Sequence, residues 1–119
     1  MKHVNLLLSA REEETLSEFA STMFECLKIS TFEERESENY VDGHYFIGMG
    51  TDAEFKLMKS DATEHVDLPF WIRISAAIRG DEISLEFVEH LANEVIKPCG
   101  REVARVDNFG RVDEHRINY

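Results

Sequence analysis

A change of period is the feature that most restricts how this chain can fold. Apolar residues at Leu16, Phe19, Ala20, Met23 and Leu27 follow the spacing of one helical face. From Thr31 to Ile78 the period is two. Phe55 and Leu57 flank Lys56, and Phe70, Ile72 and Ile74 alternate with Trp71, Arg73 and Ser75. After Asp81 the helical spacing returns, with Leu85, Val88, Leu91, Ala92 and Val95. Strand side chains alternate between faces, whereas helix side chains recur every three or four residues. The chain must therefore build strands between two amphipathic helices.

Boundary residues place these elements. HVNLLL (His3–Leu8) is short and apolar and reads as a buried strand. Ser9 and Glu12 have the form of a capping box, which predicts a helix from there to about Ile29. Glu12, Glu13 and Glu14 would then fill its first turn, where the helix dipole favours negative charge. Asp42-Gly43 is a hairpin signal between strands at 31–40 and 44–50. Gly50-Thr51-Asp52 marks the next reversal, before AEFKLMK, and SDATEHVDLP is a polar loop before FWIRISAAI. Asp81 is the expected N-cap of a second helix from Glu82 to about Lys97, stopped by Pro98. REVARV suggests a last strand, and Asn108-Phe109-Gly110 a turn in the remaining tail. The order β-α-β-β-β-β-α-β predicts one α+β domain over 1–119. It consists of a mainly antiparallel sheet of five to six strands with two helices on one face. The other sheet face is expected to be partly solvated.

Composition excludes several functions. With 43% hydrophobic and 31% charged residues the chain folds as an ordinary globular domain. No apolar run approaches the roughly 20 residues of a membrane span, and VNLLL lacks the flanks of a secretory signal, so the cytoplasm is expected. Cys26 and Cys99 are too few for a disulfide framework and lack metal-ligand spacing. They read as reduced thiols, with Cys26 packed in the core. The net charge is −11, and residues 1–67 hold 15 acids against 6 bases, while residues 68–119 hold 9 against 7. Such a field repels nucleic acid and anionic membranes and attracts basic partners.

Catalytic chemistry finds little support. Neither HxxxH nor CxxC occurs among the five histidines and two cysteines. Glu86, His90 and Glu94 read as neighbours on a helix surface, and Asp61, Glu64 and His65 as a solvated loop. There is no GxSxG elbow, and Gly48-Met49-Gly50 precedes no helix that could cradle a phosphate. No metal, cofactor or catalytic residue is expected. What remains is FEERESENYVDG, whose Glu33, Glu34, Glu36, Glu38 and Asp42 are answered within the stretch only by Arg35. As a strand it has no apolar face. It reads either as an edge protected by charge or as a docking surface for cations of another chain.

ERESENYVDGHYFIG, the alternating strands after it, PFWIRI and VARVDNFGRVDEHRI together resemble the small immunity proteins of bacterial contact-dependent growth inhibition and related polymorphic-toxin systems. The pattern RES-x-NY-x-x-G-x-YF-x-G, carried by Arg35, Glu36, Ser37, Asn39, Tyr40, Gly43, Tyr45, Phe46 and Gly48, is its strongest part. The resemblance implies a non-enzymatic cytoplasmic protein that binds the C-terminal domain of one cognate toxin, commonly a basic nuclease. It fixes no binding residues, so the site is read from charge. Glu33, Glu34, Glu36, Glu38 and Asp42 come first, then Asp52, Glu54, Asp61, Glu64 and Asp67, with Tyr40, Tyr45 or Trp71 as the aromatic anchor. The protein alone is expected to be a monomer or weak dimer. Alternatives are an acidic nucleic-acid mimic that occupies a host DNA-binding protein and a small-molecule-binding or enzymatic α+β domain. A third is an oligomer that buries the open sheet face.

Overall fold

A computed structural model of the chain describes residues 2–119. Among them, two helices and one antiparallel sheet make an α+β fold. The strands are β1 (His3–Leu8), β2 (Phe32–Glu36), β3 (His44–Met49), β4 (Ala53–Lys59), β5 (Phe70–Ala76), β6 (Val103–Asp107) and β7 (His115–Asn118). They lie side by side in the order β2-β3-β4-β5-β1-β6-β7. The expected meander is β2 to β5, and β1 joins it to the C-terminal pair.

Helix α1 (Leu16–Cys26) starts later than the Ser9–Glu12 box suggests. Its capping box is Thr15 with Glu18, each side chain bonded to the other's backbone N–H. Ser9 is used elsewhere: its hydroxyl accepts from the Glu102 N–H at 2.8 Å, and its own N–H donates to the Glu102 carbonyl. Glu12 and Glu13 therefore precede the helix, and Glu14 turns inward onto Arg101. The second helix, α2 (Leu85–His90), is capped by Ser84 rather than Asp81. It runs on as a π-helical turn, Leu91–Ile96, and a 3-10 turn, Lys97–Cys99, which ends at Gly100 with φ 86°. A π turn holds more residues than an α turn and so sets the phase of the helix back. Ile96 is consequently buried and Val95 only half-buried; Leu85, at the first position of α2, is exposed.

Both helices cover the same face of the sheet. Leu16, Phe19, Ala20, Met23 and Phe24 of α1 pack with Leu6, Leu8, Phe55, Leu57, Phe70, Ile72 and Ile74, and Val88, Leu91, Ala92 and Ile96 complete this core. Phe19 stacks on Phe70 at 4.2 Å, a contact worth about 1 kcal/mol beyond area burial. The opposite face is only half open. Residues 60–69 and 108–114 fold over Leu7, Ala104 and Val106, bringing Leu68, Phe109 and Trp71 into a second, smaller cluster. Being covered on both sides explains why the central β1 is a continuous apolar run instead of an alternating one.

The cysteines are a further correction to the expectation. Cys26, at the end of α1, forms a disulfide with Cys99, with Cα atoms 6.8 Å apart. They lie 73 positions apart, so the bond became visible only once both helices were placed on one face.

Candidate functional site

Strand β2 is one edge of the sheet, β7 being the other, and all five residues of β2 are exposed. It ends at Glu36, short of the expected 31–40. Beyond it the Ser37 N–H donates to the Gly43 carbonyl, and the Gly43 N–H donates to the Tyr40 carbonyl. This turn places Asp42 at φ 65° and Gly43 at φ 72°, backbone that glycine adopts freely and aspartate tolerates. The connection is thus 37–43, not a two-residue loop. Glu38 sits in it instead of sharing a strand face with Glu34 and Glu36.

The register divides the acids between the two faces. Glu34 lies opposite Phe46 and Glu36 opposite His44, on the helix-covered side but beyond the reach of α1. Glu33 lies opposite Ile47 on the open side. Three of the five acids find side-chain partners in their own chain. Glu33 pairs with Arg35, Glu34 lies 2.9 Å from His44 Nδ1, and Asp42 lies 2.9 Å from Lys59 Nζ. Among the described residues, Glu36 and Glu38 are exposed and have no side-chain partner.

The second group of acids does not form one surface. Asp42 meets Lys59 at the end of β4, where the loop bearing Asp61, Glu64 and Asp67 begins. Asp52 and Glu54 lie at the other end of that strand, about 20 Å away at 3.3 Å per residue. Asp67 is bound by both terminal nitrogens of Arg116, at 3.1 and 2.8 Å. Those bonds hold its carboxyl below the usual range.

The candidate anchors pack on one another. Tyr40 meets Tyr45 at 5.1 Å and Trp71 at 6.0 Å, and the Trp71 indole N–H donates to Asn5 Oδ1 at 2.9 Å. The apolar surface next to the acids comes from residues not singled out in the sequence. Phe32, stacked on Phe24, is 38% exposed and Met49 is 52% exposed. With Ile47 they line a groove of about 470 Å³ rimmed by Glu33, Arg35 and Glu54. The signal was there in FIGM, where apolar residues continue past the alternation.

No group of three or more His, Cys, Asp or Glu side chains is placed to hold a metal among the described residues. His65, a loop residue in the sequence, is buried and lies 3.1 Å from Glu114 Oε2. No helix of the described residues is long and apolar enough to cross a membrane. Comparison with protein-family models, curated proteins and solved structures finds no match to this chain.

Proposed function

We propose that the protein is an immunity protein, a non-enzymatic inhibitor that binds a basic toxin domain, such as a nuclease, at the acidic end of its sheet. The observation that carries this reading is the β2 edge. It has unpaired strand backbone, and Glu36 and Glu38 have no cation of their own chain. An apolar groove opens between this strand and β3, with Ile47 and Met49 on the face that carries Glu33. Edge protection alone needs only one or two charges. The combination suits a partner that brings lysines or arginines to the edge and an apolar side chain to the groove.

The physical roles divide by range. The net charge of −11 draws a cationic domain in and speeds encounter, an effect that weakens beyond a Debye length of about 8 Å at physiological salt. The groove formed by Phe32, Ile47 and Met49 supplies short-range burial, which charge complementarity alone does not. The cytoplasm is where such an inhibitor acts, and co-expression tests the role. The chain should restore growth to cells making the toxin domain encoded immediately upstream of its gene, and should co-purify with it. No rescue and no complex would end this reading.

The Cys26–Cys99 disulfide favours a second reading, since such bonds persist in oxidising compartments. In it the same edge serves an inhibitor acting outside the cytoplasm. Alkylation of thiols in intact cells separates the two: the first reading expects both cysteines free in growing cells, the second expects them bonded.

A further inference from the structure

An acid-rich chain has carboxylates to spare for its cations, and among the described residues five of its thirteen lysines and arginines pair with them. Arg35, Lys59, Arg101, Arg105 and Arg116 each pair with an Asp or Glu. In the middle of the open sheet face two cations without such a pair face each other. Lys56 on β4 and Arg73 on β5 are direct cross-strand partners, both half-buried. At that register their Cβ atoms stand about 5 Å apart, where like charges destabilise a sheet. Among the described residues neither has a carboxylate within ion-pair distance. Lys56 Nζ lies 5.7 Å from the centre of the Tyr45 ring. Arg73 has only the His3 ring, whose nitrogens are 3.2 and 3.3 Å away. Burial and the adjacent Arg73 lower the His3 pKa, so at neutral pH this neighbour stays uncharged.

A cleft opens beside this pair. β1 is hydrogen-bonded to β6 only over Leu6–Leu8, and its first residues diverge from the end of β6. The gap is about 460 Å³, within the range of small-molecule sites. His3 stands on its rim, Val106 and Phe109 give it apolar surface, and Asn5, Asn108 and Arg111 give it polar groups; the Asp107 carboxylate also lines it but is paired with Arg105. Asn5 is the register partner of Arg73 and the His3 ring bonds Arg73, so the cleft adjoins the Arg73 end of the pair, although neither cation lines it. Arg111 also forms no ion pair among the described residues.

We propose that Lys56, Arg73 and the adjoining cleft form a binding site for a small molecule with a dianionic head group, phosphate being the simplest, and an apolar or aromatic body. One dianion between Lys56 and Arg73 cancels the repulsion that the empty site leaves standing, which a monoanion would do only in part. The body then lies against Phe109, with Arg111 at the far wall. A nucleic-acid polymer does not suit the site, because it would extend past the local cations into the surrounding negative field. A short ligand is shielded from that field by salt.

The test uses the full chain, with pyrophosphate and ADP as probes of head and body. Binding is followed by calorimetry and by amide and side-chain NMR shifts. Both probes are expected to move the resonances of Lys56 and Arg73, and ADP should also move those of Phe109 and Arg111. ADP should bind about tenfold or more tightly than pyrophosphate. The variant Lys56→Gln/Arg73→Gln should weaken both by about tenfold or more, while its unliganded melting temperature does not fall, because a repulsion is removed. Shifts absent at about 10 mM probe, or spread over every basic residue, would overturn the site. So would unchanged binding in the folded double variant.

Discussion

Replacing Glu14 with alanine should be among the most damaging single changes in the molecule. Glu14 and Arg101 form a two-pronged ion pair with side chains only 5% and 1% exposed. Arg101 otherwise has one hydrogen bond, to the Ser9 carbonyl at 3.0 Å, and a stacking contact 4.9 Å from the centre of the Phe19 ring. Its Nε has no partner among the described residues. Removing the carboxylate leaves a guanidinium buried and uncompensated, at a cost of about 3–5 kcal/mol. That is a large part of the roughly 5–15 kcal/mol that holds a domain folded. Urea unfolding at neutral pH measures it. A double variant, Glu14→Leu/Arg101→Met, should recover most of the loss, because two apolar residues leave no stranded charge. A loss below about 1 kcal/mol in Glu14→Ala, the level of a surface pair, would refute the reasoning. The pH dependence has a definite sign. Burial pushes the Glu14 carboxyl up, but hydrogen bonds from Arg101 and the Arg11 backbone outweigh it and hold the carboxyl below its ordinary 4.5. Its contribution is therefore complete above about pH 4.5 and disappears as pH falls through the lowered native value.

Three further outcomes concern the scaffold. Reducing the Cys26–Cys99 bond, which links residues 73 apart, should lower stability by about 4 kcal/mol through loop entropy, read as a drop in the urea midpoint on adding dithiothreitol. Gly48→Ala should cost about 1–3 kcal/mol, since a Cβ there would lie 2.5 Å from Phe24 Cε1; unfolding curves showing no loss would mean that Phe24 has room to move. Thr15→Ala should cost about 1 kcal/mol by removing the cap of α1, whereas Ser9→Ala should leave the helical circular-dichroism signal unchanged.

What the sequence discloses about this fold depends on how many faces of an element are buried. β4 and β5 alternate because one face meets the helices and the other meets solvent or loops, and Phe55, Leu57, Ile72 and Ile74 could be assigned to the core from spacing alone. β7 could not. It is a short edge strand, and its His115–Asn118 shows exposed ends and half-buried middle residues. The start of α1 was misplaced because Ser9–Glu12 and Thr15–Glu18 are equally good capping boxes. Long-range partners chose between them, with Glu102 taking Ser9 and Arg101 taking Glu14. The π turn at Leu91–Ile96 likewise exchanged Val95 for Ile96 by a shift of phase that residue spacing does not encode. At the candidate site, the exposed edge was readable from two polar faces in FEERE. The hydrogen bond of Glu34 with His44 and the ion pair of Asp42 with Lys59 were not, since those pairs form across strands and turns.

The claim that matters most is that the acidic edge docks a cationic partner. Its most direct measurement is the association rate with the toxin domain that the immunity reading proposes as partner, followed by stopped flow at low and at physiological salt. The native protein should associate quickly at low salt and slow steeply as salt is added. Glu34→Gln/Glu36→Gln/Glu38→Gln should associate about tenfold more slowly at low salt, with its urea unfolding unchanged. A low-salt rate within about twofold of the native one, in a variant that folds normally, would contradict the claim.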